Sequence, residues 1–173
     1  DWAIETGVFS IPSVGLGKGE RARHVTDNGS NPHFGASNER LFVTRTAESG
    51  DGLALVSVNL DGEAVRTHAT GELVSRFEVS TDGRHLAFRE NYNVYAVPLP
   101  PGGNPIKLST TVKSLPMVRA SGDGGNFPGW SDGGDRLNWT LGPTAFSASV
   151  DELFIPADDD GNGGYTPPDQ GYS

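Results

Sequence analysis

The chain has no cysteine, no long apolar run and few basic residues. The absence of cysteine excludes disulfide scaffolds, thiolate nucleophiles and cysteine-bound zinc, but it does not identify a compartment. No stretch approaches the roughly 18 apolar residues of a membrane-spanning helix, so we expect no membrane insertion. The 13 Lys and Arg are outnumbered by 22 Asp and Glu, which gives a net charge of −9. Because a protein that neutralises phosphates needs a basic surface, we also expect no nucleic-acid partner.

Glycine and proline, in contrast, are frequent, with 24 and 12 of the 173 residues. They follow no collagen-like period, and they separate short runs in which apolar and polar residues alternate. Such alternation is typical of half-buried β-strands, and glycine and proline between strands are typical of turns. The composition therefore indicates an all-β protein.

One eight-residue phrase occurs three times, at 34–41, 79–86 and 130–137. The copies read FGASNERL, VSTDGRHL and WSDGGDRL, so each begins with a large apolar residue, ends with Leu and has a polar turn between them. They lie 45 (79 − 34) and 51 (130 − 79) residues apart. This is the period of a supersecondary unit that forms one blade of a β-propeller.

Each phrase predicts a β-hairpin, because its Asn, Asp and Gly residues suit a tight turn and β-type runs flank it. Two more β-type runs accompany each unit. The predicted third strands are 8–13, 55–60, 94–99 and 145–150, and the predicted outer strands are 23–26, 65–68 and 106–109. The fold class predicted from this pattern is all-β, a partial β-propeller of about three and a half four-stranded blades.

The pattern also predicts the organisation of the chain. An outer half-blade, two whole blades and most of a further blade make up 1–150, and an acidic linker or tail rich in glycine and proline follows. The predicted boundaries are 1–30, 31–74, 75–125, 126–150 and 151–173. Because closed propellers hold four to eight blades, we expect this chain to be part of a larger propeller.

The residues of the phrase carry a resemblance to a known family. VSTDGRHLAF at 79–88 and PGWSDG at 128–133 resemble the consensus of TolB-like, WD-repeat-like propellers, which runs roughly PxFSPDGxxLxF. The first copy departs from it with Ser37 and Asn38 in place of Asp-Gly. More specifically, 91–98, 124–131 and 137–143 look like the propeller region that precedes the barrel of some exported bacterial amidohydrolases.

This resemblance implies a non-catalytic propeller module, for substrate access or interaction, of an exported or periplasmic metal-dependent amidohydrolase. Its zinc-type metal would lie in a catalytic barrel outside this chain, so no cofactor is expected in the chain itself. The expected partner is that catalytic domain or another protein. Two alternatives stay open: a TolB-like interaction scaffold of the bacterial envelope, and the gating propeller of a prolyl-oligopeptidase-type peptidase.

No catalytic residue is predicted, although one pattern looks like a nucleophile motif. Gly129, Ser131 and Gly133 fit G-x-S-x-G, which in α/β-hydrolases requires a strand–turn–helix context and a later His. The last His of the chain is His85, and the context is a predicted hairpin. We therefore interpret Ser131 as a turn residue of the repeat.

The four histidines show no spacing typical of a metal site, so no metal ligand is predicted among them. His24 and His68 are expected on outer strands, and His33 is expected beside an inner strand. A calcium-type loop is the other candidate, since an oxygen-bearing side chain recurs at alternate positions. Its ligands would be Asp158, Asp160, Asn162 and Asp169. Pro167 and Pro168 block the helix that should follow, so a flexible acidic linker is the preferred interpretation.

Aromatic residues recur at corresponding positions of the blades, and we expect them to pack between adjacent sheets. The alternative is that some of them face a central channel and stack on a ligand. The residues concerned are Trp2, Phe34, Phe77, Phe88, Tyr95, Trp130, Trp139 and Phe146.

Overall fold

The computed structural model describes residues 6–109, 115–156, 164–169 and 171–172. This part of the chain is nearly all β, with one 3₁₀ helix (Asp132–Gly134) and one short α-helix, α1 (Val150–Leu153). Its strands form four sheets that follow one another along the chain. The fold is therefore an open, partial β-propeller, as the sequence predicts. No helix in the described part is long and apolar enough to cross a membrane.

The first two sheets contain two and five strands. The first sheet pairs β1 (Val8–Ser10) with β2 (Arg23–Thr26). The second sheet begins with the antiparallel strands β3 (Ser30–Phe34), β4 (Arg40–Thr46), β5 (Leu53–Asn59) and β6 (Arg66–Gly71). Its fifth strand comes from later in the chain.

The last two sheets contain four and three strands. The third sheet is formed by β7 (Val74–Val79), β8 (His85–Glu90), β9 (Asn93–Pro98) and β11 (Val118–Arg119). The fourth sheet is formed by β12 (Asn126–Ser131), β13 (Arg136–Leu141) and β14 (Thr144–Ser149).

Strand β10 (Ile106–Lys107) corrects one prediction. The sequence predicts 106–109 as the outer strand of the third sheet, whereas β10 pairs in parallel with β6 of the second sheet, with Ile106 opposite Ala69. The outer strand of the third sheet is β11, which pairs with β9. The physical reason is burial: Leu108 is 3% exposed, and with Ile106 it joins the core between these sheets. An apolar pattern does not say which of two adjacent sheets a strand extends.

The three phrases fold as the same hairpin. In each, the first residue lies directly across from the last, in the pairs Phe34–Leu41, Val79–Leu86 and Trp130–Leu137. Each inner strand also carries a β-bulge a few residues before its phrase. The repeated phrase therefore gives the same strand register in all three hairpins, which confirms the hairpin prediction.

The sheets are joined by three apolar cores, because successive side chains of a strand point to opposite faces. In β8, Leu86 and Phe88 pack toward the second sheet, and Ala87 packs toward the fourth. The ring of Phe88 stacks on Tyr95 with a centroid distance of 5.3 Å. Trp139, 2% exposed, lies parallel to the ring of Phe146 at 6.0 Å.

Most of the recurring aromatic residues therefore pack between sheets, as expected, but this is not shown for two of them. Phe34 on β3 is 39% exposed, whereas Val79, at the same repeat position on β7, is 3% exposed. Trp2 lies outside the described residues.

The fourth sheet has one apolar and one polar face. Leu137 and Trp139 point into the core, and the opposite face carries Ser131, Asn138 and Ser147. The Asn138 amide donates to Ser131 Oγ at 3.0 Å. At the repeat position of Asn138, the second and third sheets have Phe42 and Ala87. A polar outer face is typical of a terminal repeat.

The described residues after β14 pack against the last sheets. Helix α1 begins with a capping box, in which Ser149 Oγ accepts from the Glu152 amide and the Glu152 carboxylate accepts from the Ser149 amide. Tyr165 donates its hydroxyl to Ala120 O at 2.9 Å. Tyr172 exchanges two backbone hydrogen bonds of 2.7 Å with Ala145 of β14. The boundary at 150 itself stays a prediction.

We predict that Trp139→Ala lowers the free energy of unfolding by about 3–5 kcal/mol, because a large ring is removed from the core between the third and fourth sheets. Leu141→Ala on the same strand is the matched control, since Leu141 is 39% exposed. It should cost less than about 1 kcal/mol. Urea denaturation measures both, and equal costs would contradict the assigned packing.

Candidate functional site

The inner strands β3, β7 and β12 lie next to one another, each at the edge of its own sheet. Polar side chains and one indole from these strands meet there. We call this group the inner-strand cluster: Asn31, His33, Arg76, Glu78 and Trp130.

Glu78 is the centre of the inner-strand cluster. Asn31 Nδ2 donates to Glu78 Oε2 at 3.0 Å, and Arg76 Nη2 lies 3.4 Å from the same oxygen. Trp130 Nε1 donates to the Glu78 backbone carbonyl at 3.0 Å. The Glu78 side chain is 17% exposed and that of Arg76 35%. Glu78 therefore links all three inner strands, through its carboxylate to β3 and through its backbone carbonyl to β12, and the carboxylate is already occupied by donors.

His33 connects the second sheet to the third. Its Nδ1 lies 2.9 Å from Asn31 O, and its Nε2 lies 3.0 Å from the Val79 amide. Since an amide can only donate, Nε2 accepts and Nδ1 carries the proton, an assignment made from the hydrogen-bond network. Both ring nitrogens are thus used within the fold. His33, which the sequence predicts beside an inner strand, lies within the inner strand β3.

The sequence predicts His33 and Trp130 in this region but misses Asn31, Arg76 and Glu78. A signal was available in the repeat, because Asn31, Arg76 and Phe127 each lie three residues before the start of a phrase. Asn31 has a φ of 49°, in the left-handed region that Asn tolerates better than most residues. Its amide is thereby directed at Phe77 O and Glu78, at 2.7 and 3.0 Å.

A second polar group lies within the second sheet and includes a hydroxyl–imidazole pair. Ser57 Oγ lies 2.7 Å from His68 Nε2, and Arg40 donates to the same Oγ from Nη2 at 2.9 Å. Because the oxygen accepts from Arg40, its hydrogen is free to donate to His68 Nε2. Burial, together with the charges of Arg66 and Arg40, lowers the pKa of His68 to about 4. The imidazole is therefore neutral at pH 7.

The Ser57–His68 contact resembles that of a nucleophile and its general base, but a substrate has no access to the serine hydroxyl. Ser57 is 0% exposed, and Arg40 covers its oxygen. A nucleophile must reach a substrate atom at about 3 Å. The Ser57–His68 pair therefore stabilises the fold and cannot contact a substrate in this conformation.

Ser131 and His85, the other residues of this kind, have surroundings typical of residues with a structural role. Ser131 ends β12 and is followed by the 3₁₀ turn and β13, so the G-x-S-x-G pattern lies in a hairpin. The ring of His85 lies between Trp130 and Phe154, with centroid distances of 5.9 and 5.5 Å. Burial lowers the pKa of His85, and its Nδ1 has no hydrogen-bond partner among the described residues.

Metal binding is not indicated by the described residues, among which no three His, Asp or Glu side chains are grouped closely enough to hold an ion. The calcium-type loop falls largely outside them. Asp158, Asp160 and Asn162 belong to the residues that the structure does not describe, and Asp169 is exposed. The interpretation of this loop as a linker stays a prediction.

An open groove of about 830 Å³ crosses the face of the second sheet. Its floor includes Ala54 and Val56, and its sides carry both Lys107 and Glu72. The mixed charge indicates no particular ligand.

Two solved structures are similar to this chain. The β-propeller domain of the Trilobed protease from Pyrococcus furiosus, with an open velcro topology, has 15% identity and a TM-score of 0.40 over 65% of this chain. A protein described as a TolB from Agrobacterium tumefaciens has 14% identity and a TM-score of 0.43 over 76%. This chain spans 33% and 62% of their respective lengths. No protein-family model and no curated protein matches the chain.

We predict that acidification from about pH 6.5 to about pH 4 destabilises the fold, through His68. The pKa of His68 is lowered from 6.5 in the unfolded chain to about 4 in the fold, so the unfolded state binds the proton first. The stabilisation is complete above pH 6.5 and is lost as the pH falls toward 4. The lowered pKa of His85 acts in the same direction.

Thermal unfolding between pH 4 and 7.5 measures this effect. His68→Gln keeps an acceptor for Ser57 and removes the titration, so its melting temperature should vary less with pH than that of the natural chain. Parallel pH profiles for the two proteins would contradict the assignment.

Proposed function

We propose that this chain is a non-catalytic interaction module of a larger exported hydrolase. The observation that carries the proposal is that the potentially reactive side chains are hydrogen-bonded within the fold. Ser57 and His68 are bonded to each other inside the second sheet, and His33 is bonded across two sheets. The side chains typical of hydrolytic chemistry therefore hold the sheets together, while the exposed surface is left for contact with a partner.

The finer proposal concerns the parent protein. The resemblance of 91–98, 124–131 and 137–143 supports an amidohydrolase whose zinc-type metal and catalytic residues lie in a separate barrel. The module would dock against that barrel or shape access to it. The exported location rests on the same resemblance.

A TolB-like interaction scaffold is the second candidate. The phrase at 79–88 supports it, since this is the copy that most resembles the TolB-like consensus. Both candidates require a protein-binding surface and no catalytic set within the chain. They differ in whether a catalytic domain is encoded next to the propeller.

We predict that the chain of 173 residues hydrolyses amide, peptide and ester model substrates no faster than buffer, with or without added Zn²⁺. The physical reason is that Ser57 Oγ is buried away from any substrate and that its neighbour His68 is a neutral, weakly basic imidazole. Chromogenic assays with the natural chain and Ser57→Ala measure this. Turnover that a chelator or Ser57→Ala abolishes would overturn the proposal.

A further inference from the structure

Four large apolar side chains are exposed along one rim of the molecule. We call them the rim patch: Leu73 (61% exposed), Tyr92 (76%), Phe127 (71%) and Leu141 (39%). Leu73 precedes β7, Tyr92 lies in the turn between β8 and β9, Phe127 lies at the start of β12, and Leu141 ends β13. The patch therefore crosses from the third sheet to the fourth.

Arg89 contacts one member of the rim patch and bonds to residues that lie close in sequence to two others. Its guanidinium lies 5.4 Å from the centroid of the Tyr92 ring. Its Nη1 donates to Ser75 Oγ at 3.0 Å, two residues from Leu73, and its Nε donates to Gly125 O at 3.0 Å. The Gly125 amide donates to Tyr92 O at 2.7 Å. These contacts hold the two sheets in fixed relation beneath the exposed rings.

The two aromatic residues of the patch have a backbone conformation that their side chains disfavour. Tyr92 has a φ of 71° and Phe127 a φ of 50°, in the left-handed region. Residues that suit this region occupy comparable positions of the chain: Gly83 has a φ of 74°, and Asn31, at the repeat position of Phe127, has a φ of 49°. Because both rings are exposed, packing does not offset this backbone strain. Backbone strain of this kind is characteristic of functional positions.

The rim patch also has a positive centre. Nη2 of Arg89 makes no hydrogen bond in the described part of the chain, and no carboxylate there forms an ion pair with this guanidinium. An Arg beside an aromatic ring favours a carboxylate held by charge-assisted hydrogen bonds. Tyr, Phe and Arg are also the residues enriched in protein interfaces.

We propose that the rim patch binds a polypeptide segment that places a carboxylate on Arg89 and large apolar side chains against Tyr92 and Phe127. This inference deepens the proposed function and rests on it for the assignment of a protein partner. The strained aromatics supply the contact area, and Nη2 of Arg89 selects an acidic residue.

The test is a selection of phage-displayed random dodecapeptides on the 173-residue chain, followed by fluorescence anisotropy with the recovered peptides. We expect them to combine Asp or Glu with large apolar residues, and replacement of that acid by its amide should weaken binding tenfold or more. Tyr92→Gly and Phe127→Asn should each weaken binding at least tenfold. Because Gly and Asn suit these backbone angles, both variants should melt at the same temperature as the natural chain or higher.

Asn91→Gly is the matched control, because it relaxes the same turn, where Asn91 has a φ of 46°, without removing a ring. It should keep the affinity of the natural chain. Failure to recover any peptide, recovered peptides without acidic residues, or equal binding by Tyr92→Gly and Phe127→Asn would overturn the inference. These outcomes leave the proposed function standing, whereas hydrolytic turnover by the chain would overturn the proposed function whatever the rim binds.

Discussion

The rest of the structure depends on the requirement that a sheet with a neighbour on each side bury apolar side chains on both faces. The third sheet directs Phe88 toward the second sheet, and it directs Ala87 and Val94 toward the fourth. Neither face could be left in water without exposing large apolar area, so one sheet is not stable alone. The order of the sheets follows from this, and so does the polar outer face of the fourth sheet.

Most polar groups inside such a stack are bonded within the fold, because a buried polar group without a partner costs free energy. His33, Ser57 and Trp130 satisfy this requirement by bonding to backbone or side chains of the same or the adjacent sheet. The cost of leaving buried polar groups unpaired also explains why residue types that are often catalytic make structural hydrogen bonds here. The lowered pKa of His68 is a consequence of burial beside two Arg side chains, and it leaves the ring neutral. The groups that stay available for binding lie at the rim.

The sequence was sufficient to predict the hairpins and their stacking, because the phrase fixes which residues face each other. It was not sufficient for β10, since the apolar pattern of Ile106 and Leu108 does not say which of the two adjacent sheets the strand extends. The repeat aligns Asn31 with Arg76, but it does not show that both side chains meet Glu78, because this contact forms only when the bulged inner strands converge. The exposure of Tyr92 and Phe127 also escapes prediction, since bulky aromatic residues at positive φ contradict local preference.

The most direct test of the account is residue-resolved amide hydrogen exchange on the whole chain. If the sheets are mutually dependent, the amides of β4, β8 and β13 exchange only through a shared opening and report the same free energy. The Val79 amide donates to His33 of the adjacent sheet, and it should be protected together with the amides of these strands. Distinct opening free energies for the three strands, or an unprotected Val79, would contradict the claim that burial on both faces couples the sheets.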